Sequence, residues 1–121
     1  MVKKLHIVSF DVPYPANYGG VIDVFYKLKA LKNLGVSIIL HCFEYGRGQQ
    51  NTLEEYCKEI HYYKRNSFVS SLLSKEPFIV KSRSNTDLIA NLNKDHFPVL
   101  FEGIHTTHPI ISNQLQHKKV F

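Results

Sequence analysis

The chain has 121 residues, of which 44% are hydrophobic and 21% charged, a balance that permits one domain with a buried core and excludes global disorder. Its 2 cysteines, Cys42 and Cys57, follow no disulfide or metal-ligand spacing and have no visible base partner, so they are interpreted as small core residues. No apolar run is long enough for a signal peptide or a membrane-spanning helix, so a cytoplasmic protein is expected. The formal net charge of +5 comes from basic residues spread along the chain, which suits anionic ligands such as nucleotide diphosphates and predicts no nucleic-acid partner.

The N-terminal third of the chain predicts a strand, a helix and a second strand. Leu5 to Phe10 is a short run of branched and aromatic residues, which is typical of a buried strand. In Val21 to Leu34 the apolar residues recur on one helical stripe, and Gly35 follows where a helix commonly ends. Val36 to Phe43 is again apolar and branched. Such a βαβ unit implies that the two strands lie parallel.

Later segments continue the alternation of strands and helices. Glu59 to Lys64 and Pro98 to Glu102 are predicted strands, and Thr86 to Asn93 carries a helical pattern between them. The predicted fold class is therefore α/β, with a Rossmann-like, doubly wound and mostly parallel sheet that has helices on both faces. Val120 and Phe121 resemble the beginning of another strand, so residues 1–121 are expected to be a partial domain.

The loop that precedes the first helix is the first candidate site. Gly19 and Gly20 stand where the helix begins, and glycines there leave backbone N–H groups accessible to a diphosphate. The alternative is that the pair only serves the geometry of the turn. Neither the dinucleotide pattern GxGxxG nor the phosphate-loop pattern GxxxxGK[ST] occurs, so no nicotinamide, flavin or other cofactor is expected.

A second candidate site follows the predicted strand that ends at Glu102. His105 could hydrogen-bond a bound sugar, and Glu102 could orient that histidine or act as a base. The alternative is that Glu102 caps a helix and His105 packs at a domain surface. His105 and His108 lack the further ligands that a metal would need, so no metal is expected. His6 and His41 lie within predicted strands and are interpreted as ordinary packed residues.

The stretch Ile7-Val-Ser-Phe-Asp-Val-Pro-Tyr-Pro-Ala-Asn-Tyr-Gly-Gly20 resembles the N-terminus of family 4-type glycosyltransferases, which have the two-domain GT-B fold. In that family a strand leads into a loop with a proline and a glycine pair, and the following helix ends in a pattern like L-x-x-x-G-H-x-V. Here that pattern is Leu31-Lys-Asn-Leu-Gly-Val-Ser-Ile38, in which Val36 replaces the commonest His and Ile38 replaces Val.

The resemblance implies a division of labour between two domains. The N-terminal domain binds mainly the acceptor, its glycines (Gly19, Gly20) reach the donor diphosphate, and His105 matches a histidine that lies near the transferred sugar. A second domain, absent from these 121 residues, holds the nucleoside-diphosphate sugar. The residues expected to position a saccharide or lipid-linked acceptor are Tyr14, Asn17, Tyr18 and Thr106.

The function expected from this resemblance is sugar transfer in polysaccharide, lipopolysaccharide or glycolipid assembly, with peripheral contact to the inner membrane face left open. The 121 residues alone are expected to be inactive. A self-contained flavodoxin-like or response-regulator-like binding module is an alternative, but the acidic pair and the strand-end aspartate and lysine of a receiver domain are missing. A basic nucleic-acid-binding domain has the charge but no motif.

Overall fold

In the described residues, four parallel strands form the sheet that the sequence predicts. The computed structural model describes residues 3–44, 48–64, 86–102 and 119–121. The strands are β1 (Lys3–Ser9), β2 (Val36–Glu44), β3 (Glu59–Lys64) and β4 (Val99–Glu102). The helices are α1 (Gly19–Asn33), α2 (Thr86–Leu92) and a short 3-10 helix (Asn51–Glu55). The sheet order is β3-β2-β1-β4 and every pairing is parallel, which confirms the α/β, Rossmann-like fold class.

Helix α1 forms because its apolar residues share one face. The residues of α1 that are buried against the sheet are Val21, Val24, Phe25 and Leu28. The helix begins two residues before the predicted start, since the N–H of Ile22 donates to the carbonyl of Tyr18 at 3.0 Å and closes the first turn. It ends at Asn33 with Leu34 as the C-cap residue, and Gly35 follows with a φ of +84°, in the left-handed region that favours glycine.

The two faces of the sheet carry separate apolar cores, because side chains along a strand point alternately to opposite faces. Against one face pack Phe25 and Leu28 of α1, together with Ile7 and Leu40 of the sheet. Against the other face pack Leu88 and Leu92 of α2, with Val8, Phe43, Val99 and Phe101. Helices therefore cover both faces, as the doubly wound prediction requires.

The strand order places the sheet's reversal point between β1 and β4. The chain moves outward from β1 to β2 and β3, and then returns to add β4 on the other side of β1. Ser9 and Glu102, the last residues of these two strands, are register partners. In open parallel sheets a ligand crevice lies beyond the carboxyl ends at such a reversal. The loop after β1 and the end of β4 therefore share one edge of the sheet.

The last three residues extend the sheet beyond β4. Val120 pairs with Val99 in parallel, and the N–H of Phe101 donates to the carbonyl of Phe121 at 3.0 Å. Strand-like pairing at Val120 agrees with the sequence prediction. Within the described ranges no helix is long and apolar enough to cross a membrane. The predicted site residues His105 and Thr106, and His108, lie outside the described residues.

Candidate functional site

The loop between β1 and α1 is held by the carboxylate of Asp11, which is only 3% exposed. One carboxylate oxygen accepts the backbone N–H of Val12 at 2.8 Å, and the other accepts the hydroxyl of Tyr18 at 2.6 Å. The hydroxyl of Ser9 donates to the carbonyl of Asp11 at 2.6 Å. Asp11 thus ties the end of β1 to the residue that caps α1. No local pattern in the sequence indicates this role of Asp11, because its partner Tyr18 is reached only when the loop folds back.

The N-terminus of α1 is open to an anion. Tyr18 is the N-cap residue but makes no side-chain capping bond, and the first turn contains no acidic residue. Gly19 is exposed, and a Cβ added there would meet nothing within 4 Å beyond its chain neighbours. Exposed N–H groups and the positive end of the helix dipole favour a negatively charged group at this position.

The two glycines of the pair differ in why they lack a side chain. A Cβ on Gly20 would overlap the ring of Phe10, the residue that follows β1, so close packing against this ring favours glycine here. Gly19 has no such neighbour. Neither glycine of the pair has a positive φ, so the geometry of the turn requires neither of them. Packing against Phe10 explains Gly20, whereas no packing explains the missing side chain at Gly19.

The three predicted acceptor residues of the loop lie in two different environments. Tyr14 is partly buried, and its ring packs against that of Phe25 in α1 with 5.4 Å between the centroids. Asn17 is exposed, and Tyr18 is 42% exposed although its hydroxyl is bound to Asp11. The side chains of Asn17 and Tyr18 are therefore exposed on the loop, whereas that of Tyr14 packs against α1.

Glu102 ends β4 and forms an ion pair with Lys27 of α1. Its side chain is 14% exposed, whereas that of Lys27 is 40% exposed. The pair joins the helix to the strand on the other side of β1, next to the loop that Asp11 holds. A carboxylate already occupied by an ammonium group suits the orienting role predicted for Glu102 better than the role of base.

Cysteine chemistry and metal binding find no support in the described part of the chain. Burial raises the pKa of the Cys57 thiol to about 12 and that of Cys42 further still, so both are protonated near neutral pH. Both cysteines are free and buried, as the sequence analysis expected of small core residues. The described residues contain no group of three or more His, Cys, Asp or Glu side chains that could hold a metal ion.

The buried thiols give a direct test of the packing. We expect a thiol reagent at about pH 8 to label both cysteines of the native chain more than tenfold more slowly than the urea-unfolded chain, because the reactive thiolate is scarce and screened. Mass spectrometry of the labelled chain measures this. Native labelling of Cys57 as fast as in urea would contradict the burial of its thiol.

A separate cavity of about 950 Å³ lies at the β3 edge of the sheet, between the 3-10 helix and α2. Its lining includes Glu54, Lys58, His61 and Asp87 and none of the predicted site residues.

Of the predicted site residues, the structure brings the loop after β1, the start of α1 and Glu102 to one edge of the sheet. That the loop and Gly19 lie together follows from their adjacency in the sequence. No sequence pattern predicts the contact between Lys27 and Glu102, which are 75 residues apart.

Comparison with known proteins gives one relative. The chain is 36% identical over 109 residues to a Klebsiella pneumoniae protein described as an uncharacterized 44.6 kDa protein in cps region. The match covers 84% of this chain and 28% of the relative, so the chain spans less than a third of that protein's length. No family model matches the chain. No solved structure matches it either.

Proposed function

We propose that the chain is the acceptor-side, Rossmann-like domain of a GT-B glycosyltransferase, which transfers a sugar from a nucleoside-diphosphate sugar to a saccharide or lipid-linked acceptor. One observation carries this proposal. The sheet reverses between β1 and β4, and the loop that leads to Gly19 at the start of α1 and the last residue of β4, Glu102, both follow the carboxyl ends of these two strands. Anion-binding N–H groups beside an orienting carboxylate are what transfer from a diphosphate donor needs.

The chemistry of sugar transfer explains the use of the α1 N-terminus. As the bond between the sugar and the diphosphate breaks, negative charge grows on the departing diphosphate. N–H groups fixed at a helix N-terminus stabilise that charge without having to reorient during the reaction. Gly19 allows the phosphate oxygens to approach the backbone closely. In this proposal Gly20 contributes its backbone N–H, while its missing side chain makes room for Phe10.

The acceptor would be positioned by the loop that Asp11 holds. Asn17 and the ring of Tyr18 are exposed at the crevice and can bind hydroxyl groups and the apolar face of a sugar. Glu102 would orient His105, which we propose to lie near the transferred sugar, with Thr106 contacting the acceptor. Positioning of this kind lowers the barrier because both reactants are held in line before the bond breaks.

The relative supports the proposal at a coarser level. It is described as a protein in a cps, or capsule polysaccharide, region, and building a polysaccharide requires glycosyl transfer. Because this chain covers 28% of that relative, we propose that the whole protein has a second domain that binds the nucleoside-diphosphate sugar. The proposed location is the cytoplasm, at the inner membrane face where a lipid-linked acceptor would be presented.

The test places a negative charge where the donor diphosphate would bind. We expect Gly19→Asp in the whole protein to lower kcat/KM for the donor sugar by at least about tenfold, because the carboxylate repels the diphosphate and occupies its N–H groups. The thermal midpoint should stay level or rise, since an acidic residue favours a helix N-terminus. Transfer from a panel of nucleoside-diphosphate sugars, measured by release of the nucleotide, gives the rates.

A matched control separates charge from position. Gly48 is exposed and has nothing within 4 Å of an added Cβ, so Gly48→Asp makes the same change away from the crevice and should leave the rate unaltered. Equal rates for the wild type and Gly19→Asp would remove the diphosphate role. Binding of a nucleotide without any transfer would favour the binding-module alternative.

A further inference from the structure

A chain of hydrogen bonds runs across the face of the sheet that α2 covers. His6 and His41, which are 2% and 0% exposed, are joined from Nδ1 of the first to Nε2 of the second at 2.8 Å. The other ring nitrogen of His6 meets the carboxylate of Asp95 at 2.9 Å. The other ring nitrogen of His41 meets the hydroxyl of Tyr63 at 2.9 Å, and that hydroxyl accepts from Asn91 at 2.9 Å.

The partner at one end fixes one hydrogen of this chain, and the neutral form of the pair fixes the others. A carboxylate only accepts, so Nε2 of His6 carries a hydrogen towards Asp95. In a neutral His6, Nδ1 has no hydrogen and accepts Nε2–H of His41. In a neutral His41, Nδ1 then accepts the hydroxyl proton of Tyr63, whose pKa burial raises to about 12. We expect this arrangement, with one hydrogen in each bond, near neutral pH.

The contact between the two rings limits how many protons they can hold. Two nitrogens 2.8 Å apart have room for one hydrogen between them. The folded pair therefore carries at most three ring hydrogens on its four nitrogens. Two unfolded histidines carry four when the pH falls below their ordinary pKa of about 6.5. The unfolded chain thus binds at least one more proton than the folded pair in acid.

The charged groups around the pair do not remove this limit. His61 stacks on His41 with 5.1 Å between centroids, and Asp87 of α2 lies near enough to Tyr63 to raise its pKa. The pair also borders a cavity of about 280 Å³, whose other titratable lining groups are Lys4 from β1, Glu59 and His61 from β3, and Lys94 and Asp95 after α2. The carboxylates favour protonation of the histidine pair and the lysines oppose it. None of these groups makes room for a second hydrogen between the two rings.

We propose that the His6–His41 pair makes the folded chain sensitive to acid, because the bond between the two rings cannot hold a second hydrogen. The two histidines and Tyr63 belong to three neighbouring strands, whereas Asp95 and Asn91 belong to α2 and the turn after it. When a fourth ring hydrogen binds to the pair, the bond between the rings breaks and two imidazolium rings face each other inside the fold. This inference concerns the face opposite α1 and does not depend on the proposed function.

The test follows the unfolding equilibrium of the full chain in urea between about pH 5 and 8. For each pH unit below about 6, the pair should raise the unfolding constant about tenfold, because one extra proton binds on unfolding. In His41→Gln, the amide can donate to or accept from His6, so His6 can take its proton while folded. This variant should lose that tenfold dependence. His96→Gln, which alters an exposed histidine, should keep it.

A second measurement does not depend on whether a variant folds. Nitrogen NMR of the wild-type imidazole rings near neutral pH should show both histidines neutral with the hydrogen on Nε2. Two imidazolium rings in the folded chain at about pH 5 would overturn the proposal, because the limit of three hydrogens would be broken. The same pH dependence in the wild type and His41→Gln would overturn it as well.

Discussion

Replacing Asp11 with alanine is expected to lower the free energy of unfolding by about 3 kcal/mol, because the change leaves a buried N–H and a tyrosine hydroxyl without their acceptor. The N–H belongs to Val12, whose side chain is 0% exposed, so water cannot readily replace the carboxylate. In the whole protein the same variant should also reduce sugar transfer, since the loop that holds Asn17 and Tyr18 loses its fastening.

Two further variants divide this effect between the two hydrogen bonds. Tyr18→Phe removes only the hydroxyl bond and should cost about 1 kcal/mol. Asp11→Asn keeps one oxygen for Val12 and should fall between the other two variants. Urea unfolding followed by circular dichroism measures all three. An Asp11→Ala variant as stable as Tyr18→Phe would mean that the bond to the Val12 N–H contributes nothing.

Gly20→Ala is expected to destabilise the chain by about 2 kcal/mol, because the new methyl group overlaps the Phe10 ring and that partly buried ring must move. Alanine is a better helix former than glycine, so the observed loss is smaller than the cost of the overlap itself. Gly19→Ala is the matched control: it adds the same methyl group one residue earlier into open space, and should leave stability level or slightly raised.

A double variant tests the stated cause. When Phe10→Leu shortens the side chain, Gly20→Ala should cost less than about 0.5 kcal/mol, which gives a coupling energy above 1 kcal/mol between the two positions. Thermal unfolding of the four chains supplies the cycle. Independent, additive effects would show that Phe10 is not what excludes a side chain at Gly20.

The main elements of the fold could be predicted from local patterns. The apolar stripe of α1, the glycine at position 35 and the runs that became β1, β2 and β3 each follow from residues close together in the chain. Their observed ends differ from the predicted ones by two residues or fewer, because end residues are fixed by single hydrogen bonds such as that between Ile22 and Tyr18. The two cysteines were also correctly placed in the core from their lack of partners.

From the sequence, His6 and His41 are interpreted as ordinary packed residues. Both are indeed buried, but they also belong to a chain of hydrogen bonds. Nothing near either residue in sequence shows this, since the bonds join positions 35 and 89 residues apart. The same reason hid the ion pair of Lys27 with Glu102, which are 75 residues apart. Polar partners of this kind are set by strand order, and periodicity carries no information about it.

By itself, then, the sequence determined the α/β class, the parallel strands, the helix that follows the first loop and the glycine pair at its start. The tertiary structure decided three things that adjacency cannot. It placed β4 beside β1, so that Glu102 and the loop after β1 lie at one edge of the sheet. It assigned Gly20 to packing and Gly19 to open space, and it joined two histidines under α2. The physical reason is that helices and strands depend on neighbouring residues, whereas a crevice or a buried polar chain exists only after distant segments pack together.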